Sequence, residues 1–254
     1  MKIWNTKTKY LFDLNGYIII KNYFKIDFIN NLLIDLKKIE NCDSFPNGVC
    51  LGKPRTENSL YLSNIAEIND NFASIIADPG IVEFISKTTS GFYRFNHSYA
   101  LTHNKYSSTH LHMGGFPIHP KATYICRNDQ IFSSLTKAVI PLENHDVDDG
   151  CFCVVPGSHK SNFESEFNLG PAEKHPSILP LPAQPGDLIL FTEALQHGGL
   201  CNISGNTRRT IFYCYSLGSM PDWSSLGLES SQYLHNHPDQ KLREIVKMKM
   251  GPIN

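Results

Sequence analysis

No run of about 18 consecutive apolar residues occurs anywhere in the chain, so no membrane-spanning helix is expected. The opening stretch Met1-Lys2-Ile3-Trp4-Asn5-Thr6-Lys7 has charge, but no apolar segment of secretory length follows before Asp13 and Asn15. No signal peptide is therefore expected. An excess of one charge is also missing: the net charge is −1, which gives no reason to expect nucleic acid or an anionic membrane as a partner. The seven cysteines are an odd number without a metal-type Cys-x-x-Cys pair, so reduced thiols and a cytoplasmic location are expected. Internal repeats and low-complexity tracts are absent as well.

What is present suits one catalytic domain. A length of 254 residues lies within the range of a single all-β barrel, and 41% hydrophobic content supplies its core. The expected layout is a helical N-terminal support over about 1–92, a barrel over about 93–217 and a C-terminal tail over about 218–254. Phe28, Leu32, Leu36 and Ile39 recur at helical spacing after Asp27, which reads as an N-cap. A second helical stretch is expected from about Ile65 to Lys87, interrupted at Asp78-Pro79-Gly80. Strands are expected at 94–102, 109–114, 133–142, 151–155, 188–191 and 210–216, with turns at Asp148-Asp149-Gly150 and Gln184-Pro185-Gly186-Asp187. Residues 162–181 read as a loop over the site, and 220–254, containing Pro221, Trp223, His235 and Pro238, as an irregular tail.

The most informative feature is His197, set just after the apolar stretch Leu188-Ile189-Leu190-Phe191, with Arg208 eleven positions later. A guanidinium offers paired donors that match a carboxylate, which a lysine meets only as a point charge. Alternation along Arg208-Arg209-Thr210-Ile211-Phe212-Tyr213 puts Arg208, Thr210 and Phe212 on one face and Arg209, Ile211 and Tyr213 on the other, so only one arginine can face a barrel interior. Upstream, His112 stands in Thr109-His110-Leu111-His112-Met113-Gly114. Non-haem iron oxygenases with a facial triad use two histidines and a carboxylate and keep open positions for co-substrate and dioxygen. Here the second residue after His112 is Gly114, which has no carboxylate.

These pieces, together with Phe12-Asp13-Leu14-Asn15-Gly16-Tyr17-Ile18-Ile19-Ile20 and Asp149-Gly150-Cys151-Phe152-Cys153-Val154-Val155-Pro156-Gly157-Ser158-His159, make the chain resemble the phytanoyl-CoA dioxygenase family of Fe(II)/2-oxoglutarate oxygenases. The resemblance implies a mainly β fold with flanking helices, a double-stranded β-helix of the cupin-like jelly-roll kind. It also implies His112 and His197 as iron ligands and Arg208 as the residue that binds the distal carboxylate of 2-oxoglutarate. The family's carboxylate position falls on Gly114, so the third protein ligand does not carry over.

Three readings of that position follow. A chloride or bromide fills it, as in the radical halogenases with a His-x-Gly or His-x-Ala pattern. Another side chain substitutes: His110, which shares a strand face with His112 by period two, or Glu193, Asp148 or Asp149. Otherwise two histidines and a water suffice. The expected activity is oxidation of an aliphatic C–H bond of a small molecule with dioxygen, in the first place hydroxylation. Halogenation is the alternative, and a non-catalytic or three-histidine metal-binding barrel is a further one. His97, His103, His119, His145, His175, His235 and His237 have no partner at ligand spacing and read as ordinary, and His159 reads as part of a structural Pro-Gly-Ser-His turn in which Gly157 permits a positive φ.

Overall fold

A computed structural model of the chain describes residues 2–54, 56–114, 122–222 and 231–249. His119 and Trp223 lie outside the described residues. The strands are β1 (Tyr17–Ile20), β2 (Cys50–Leu51), β3 (Ser59–Ser63), β4 (Tyr93–His103), β5 (Thr109–His112), β6 (Tyr124–Arg127), β7 (Gln130–Ser133), β8 (Leu135–Pro141), β9 (Phe152–Val154), β10 (Leu179–Pro180), β11 (Leu188–Thr192), β12 (His197–Gly199) and β13 (Arg208–Leu217). The α-helices are α1 (Thr6–Asn15), α2 (Ile26–Glu40), α3 (Asp70–Ser74), α4 (Pro79–Thr88), α5 (Gln232–His235) and α6 (Gln240–Val246).

Seven strands pair in the order β1-β11-β8-β13-β4-β3-β2 and four in the order β10-β9-β12-β5, every pairing antiparallel. This is the jelly-roll arrangement expected, in which two sheets bury one face against each other. Period-two alternation sorts the large sheet into two cores. Ala100, Ala138, Ile140, Leu188, Leu190, Ile211 and Tyr213 face the helices, where they join Leu32, Leu36, Phe84 and Ile85. Tyr99, Leu101, Val139, Ile189, Phe191 and Phe212 point the other way and meet Phe152 and Val154 of the small sheet. Each fully buried leucine, isoleucine or phenylalanine among them contributes about 1.5–3 kcal/mol relative to exposure. The helices therefore brace the outside of the large sheet, and the inner face is left for chemistry.

Several local expectations are corrected. Asp27 is not the cap of α2: the N-cap is Lys25, without a side-chain cap bond, and Asp27 sits in the first turn, where its charge meets the positive helix end. The stretch after Ile65 breaks earlier than expected because Asn69 caps α3 by accepting from Asn71 and Phe72 N–H, and Asp78 then caps α4 with Pro79 in its first turn. The single strand expected over 133–142 is the end of β7 followed by β8. Strand β5 stops at His112, two residues early, because Met113 (φ 64°) and Gly114 (φ 75°) both turn into the left-handed region. The irregular tail carries α5 and α6. Asp239 caps α6, and Leu242, Ile245 and Val246 bury its inner face in the helix-side core. No helix among the described residues is long and apolar enough to cross a membrane.

Candidate metal and co-substrate site

The site begins with the pairing of β12 and β5, which sets His197 directly opposite His112. Their rings lie 4.1 Å apart, centroid to centroid. Each Nδ1 sits within bonding distance of a backbone carbonyl, His112 on His110 (2.9 Å) and His197 on Leu195 (2.7 Å). A carbonyl only accepts, so both Nδ1 atoms carry a proton, and in the neutral ring the lone pair then lies on Nε2. Phe191 packs edge-on against His197 at 4.6 Å, and Phe152 lies 5.8 Å away, so the imidazole is held on its apolar sides.

The same strand pair explains why His110 does not join. Register passes from His197↔His112 to Gly199↔Thr109, three steps on β5 against two on β12. This bulge breaks the period-two alternation. Thr109 and His112 line the cleft, whereas His110 is exposed. Asp148 is exposed, and Asp149 accepts from Ser204 Oγ and Asn206 Nδ2 in a loop. The one carboxylate that does approach is Glu193: among the described residues its oxygen and the ring nitrogens of His112 and His197 all lie within 4.8 Å of one another. Glu193 Oε2 is 3.9 Å from His197 Nε2 and 2.7 Å from the ammonium of Lys137.

Lys137 has no counterpart in the sequence reading. It stands on the inner face of β8, cross-strand from Phe191 and Cys214, and is buried. Burial is the largest single influence and opposes its charge, but Glu193, Tyr99 and Cys214 together outweigh it and hold the Lys137 pKa above the usual lysine range. Its only sequence signal is a lysine at an inward position of an apolar strand, which looks the same as an edge charge.

Arg208 and Arg209 part as the alternation requires. Arg209 lies on the helix side, where it donates to Glu40 of α2 and to Glu143. Arg208 is buried and lines an open cleft with His112, His197, Tyr99, Phe152 and Phe212. Its Nη2 donates to His103 Nδ1 at 3.0 Å. A guanidinium cannot accept, so His103 is the neutral tautomer protonated at Nε2, which faces Thr109 Oγ1 at 3.3 Å. His103, expected to be ordinary, thus orients the arginine. Burial lowers the Arg208 pKa to about 10, which leaves it charged at neutral pH. Arg208 Nε and, two residues on along the same face, Thr210 Oγ1 are buried polar atoms without a partner among the described residues. Leaving such donors unmatched costs about 1–3 kcal/mol each, so an acceptor belongs there.

The remaining inner surface is aromatic. Tyr99 stacks on Phe212 at 4.5 Å and on Tyr61 at 5.1 Å. Gly114 lies beside the histidines, but a Cβ built on it would meet Cβ of Gln196 at 2.7 Å, with Cα and N of that residue at 3.4 Å. His159 is structural, as expected. Gly157 has φ 81°, and His159 Nε2 donates to the Asp13 carbonyl at 3.0 Å.

Residues 12–210 match the profile of the phytanoyl-CoA dioxygenase (PhyH) family. Among solved structures, the chain is similar to HygX from Streptomyces hygroscopicus with nickel and 2-oxoglutarate bound, at 20% identity and a TM-score of 0.77, covering 87% of this chain and 90% of that one. It is also similar to the epimerase SnoN in complex with Fe3+, α-ketoglutarate and nogalamycin RO (14%, TM-score 0.63, 84% and 83% covered). A third is EctD from S. alaskensis in its apo form (17%, TM-score 0.67, 86% and 79% covered). No curated protein sequence matches the chain.

Proposed function

Because the chain belongs to the phytanoyl-CoA dioxygenase family, we propose that the cleft is an Fe(II)/2-oxoglutarate site that oxidises an aliphatic C–H bond of a small molecule, by hydroxylation. The observation that carries this reading is one cleft shared by the His112–His197 pair and a buried arginine whose Nε has no partner among the described residues. The donor set suits the groups. Two neutral imidazoles with Nε2 lone pairs fit iron, and a charged guanidinium held by His103 fits the distal carboxylate of 2-oxoglutarate. Solved structures of similar fold hold nickel or Fe3+ together with the keto acid, which supports the same pairing here.

In this reading His112 and His197 would hold the metal, and Arg208 would bind the distal carboxylate of the co-substrate. Iron, 2-oxoglutarate and dioxygen together supply the oxidising power. The protein supplies position and dryness: Phe152, Phe191, Phe212 and Tyr99 keep water from the inner face, and Thr109 with His103 locks the arginine. Hydroxylation is favoured over halide transfer because Glu193 offers a carboxylate beside the two histidines. Halide transfer at Gly114 is the second reading. The catalytic unit spans the barrel at about 93–217 with the N-terminal helices as its brace, and seven free cysteines support a cytoplasmic setting. An anaerobic titration tests the site: Fe(II) followed by 2-oxoglutarate should produce the metal-to-ligand charge-transfer absorption in the wild type and not in His197→Ala. Its absence in the wild type would refute the proposal.

A further inference from the structure

Resting on the iron and 2-oxoglutarate reading, we propose that Glu193 is the third protein ligand of the metal and that Lys137 is the positioning residue that holds its carboxylate there. The ligand has moved from the second residue after the first histidine to the fourth residue before the second.

Two independent observations carry this. First, position 114 cannot deliver a carboxylate. Met113 and Gly114 both adopt left-handed backbone angles, the Gly114 amide donates to the Ala194 carbonyl at 3.1 Å, and the space a side chain needs is filled by Gln196, whose Cβ is 2.7 Å from an ideal Cβ. The obstacle is the Cβ of the facing residue, fixed to its own backbone and not the far end of a flexible side chain, so it does not swing aside. Second, the segment that closes on Gly114 is the one that carries Glu193. Its amide donates to Leu135 O at 2.9 Å, which fixes the residue at the end of β11, next to the inner face of β8.

The chemistry of Glu193 fits a ligand. It is 2% exposed, and a buried carboxylate is costly unless it is paired or bound to metal. Lys137 Nζ meets Oε2 at 2.7 Å, and that oxygen makes no well-aligned hydrogen bond among the described residues. The ammonium carries three protons and no lone pair, so it anchors the carboxylate without competing for the metal. Two neutral imidazoles and one carboxylate restore the donor count and charge of the facial triad. A halide is then not required to balance the iron.

The test uses the full chain with Co(II) as the probe metal, followed by anaerobic equilibrium dialysis and visible absorption. The double variant Glu193→Gln/Lys137→Met removes both charges, so neither is left buried alone. Wild type should bind one equivalent, and the double variant should bind roughly 10-fold more weakly or worse, while its far-UV circular dichroism and metal-free thermal midpoint stay near wild type. Wild-type affinity in the double variant would overturn the assignment of Glu193. Failure of the wild type to bind Co(II) at all would instead overturn the underlying metal reading. On the wild type alone, the Co(II)·2-oxoglutarate spectrum should be flat to millimolar chloride. A saturable chloride-dependent shift would place a halide at the metal and overturn the proposal even if the double variant does not fold.

Discussion

His112 and His197 are direct cross-strand partners, in register between β5 and β12 with ring centroids 4.1 Å apart. Residues that lie 85 positions apart in the chain thus become neighbours through one antiparallel pairing, and each ring is locked by its own Nδ1 bond to the carbonyl two residues before it. The pair is held by backbone geometry, so losing an imidazole leaves the strand pairing in place.

Alanine at His112 or at His197 should therefore abolish stoichiometric Fe(II) binding and leave the circular dichroism spectrum unchanged. Equilibrium dialysis under anaerobic conditions reads the first and a thermal melt the second. Full iron affinity in His112→Ala would remove that residue from the metal site.

The two adjacent arginines should separate cleanly. Arg208→Ala removes a buried guanidinium from the cleft and should raise the apparent 2-oxoglutarate requirement by the equivalent of about 3–5 kcal/mol. Arg209→Ala breaks the tie of β13 to Glu40 and Glu143, so it should lower stability by about 1.5–3 kcal/mol with the co-substrate requirement unchanged. Equal effects on 2-oxoglutarate from both variants would contradict the strand-face assignment.

Gly114 is constrained by its surroundings as well as by its φ of 75°. Gly114→Ala and Gly114→Asp should both lower the thermal midpoint, by about 1–3 kcal/mol of strain, and Gly114→Asp should not tighten metal binding. Tighter Fe(II) binding by Gly114→Asp would show that position 114 can reach the metal after all.

His159 links stability to pH. Burial lowers its pKa from 6.5 to about 4, so the unfolded chain takes up the proton first as pH falls. Its contribution is complete above pH 6.5 and is lost progressively as pH drops toward 4, at no more than about 1.4 kcal/mol per pH unit. Urea unfolding between those limits should show a shallower pH slope in His159→Gln than in wild type. An unchanged slope would assign the acid sensitivity elsewhere.

Much of this was legible in the sequence because the informative strands alternate strictly. Arg208, Thr210 and Phe212 face inward and Arg209 and Ile211 outward, as period two requires. The apolar run before His197 marks β11, and the turns at Gly150, Gly157 and Gly186 carry the positive φ that glycine supplies. Where alternation fails, so does the reading. One extra residue between Thr109 and His112 turns His110 out of the cleft, a bulge with no sequence mark. Lys137 and His103 were not legible because their roles depend on what faces them across the sheet: Glu193 in one case and Arg208 in the other. Helix α6 was masked by the prolines and histidines before it, although Asp239 is a competent cap.

If this cleft runs 2-oxoglutarate chemistry on iron, the protein turns the keto acid over even without a C–H substrate. Incubated with Fe(II), 2-oxoglutarate and dioxygen, the wild-type chain should release succinate with matching oxygen uptake, and His197→Ala should release none. Absence of succinate from a wild type that binds Fe(II) and 2-oxoglutarate, or equal release by His197→Ala, would contradict it.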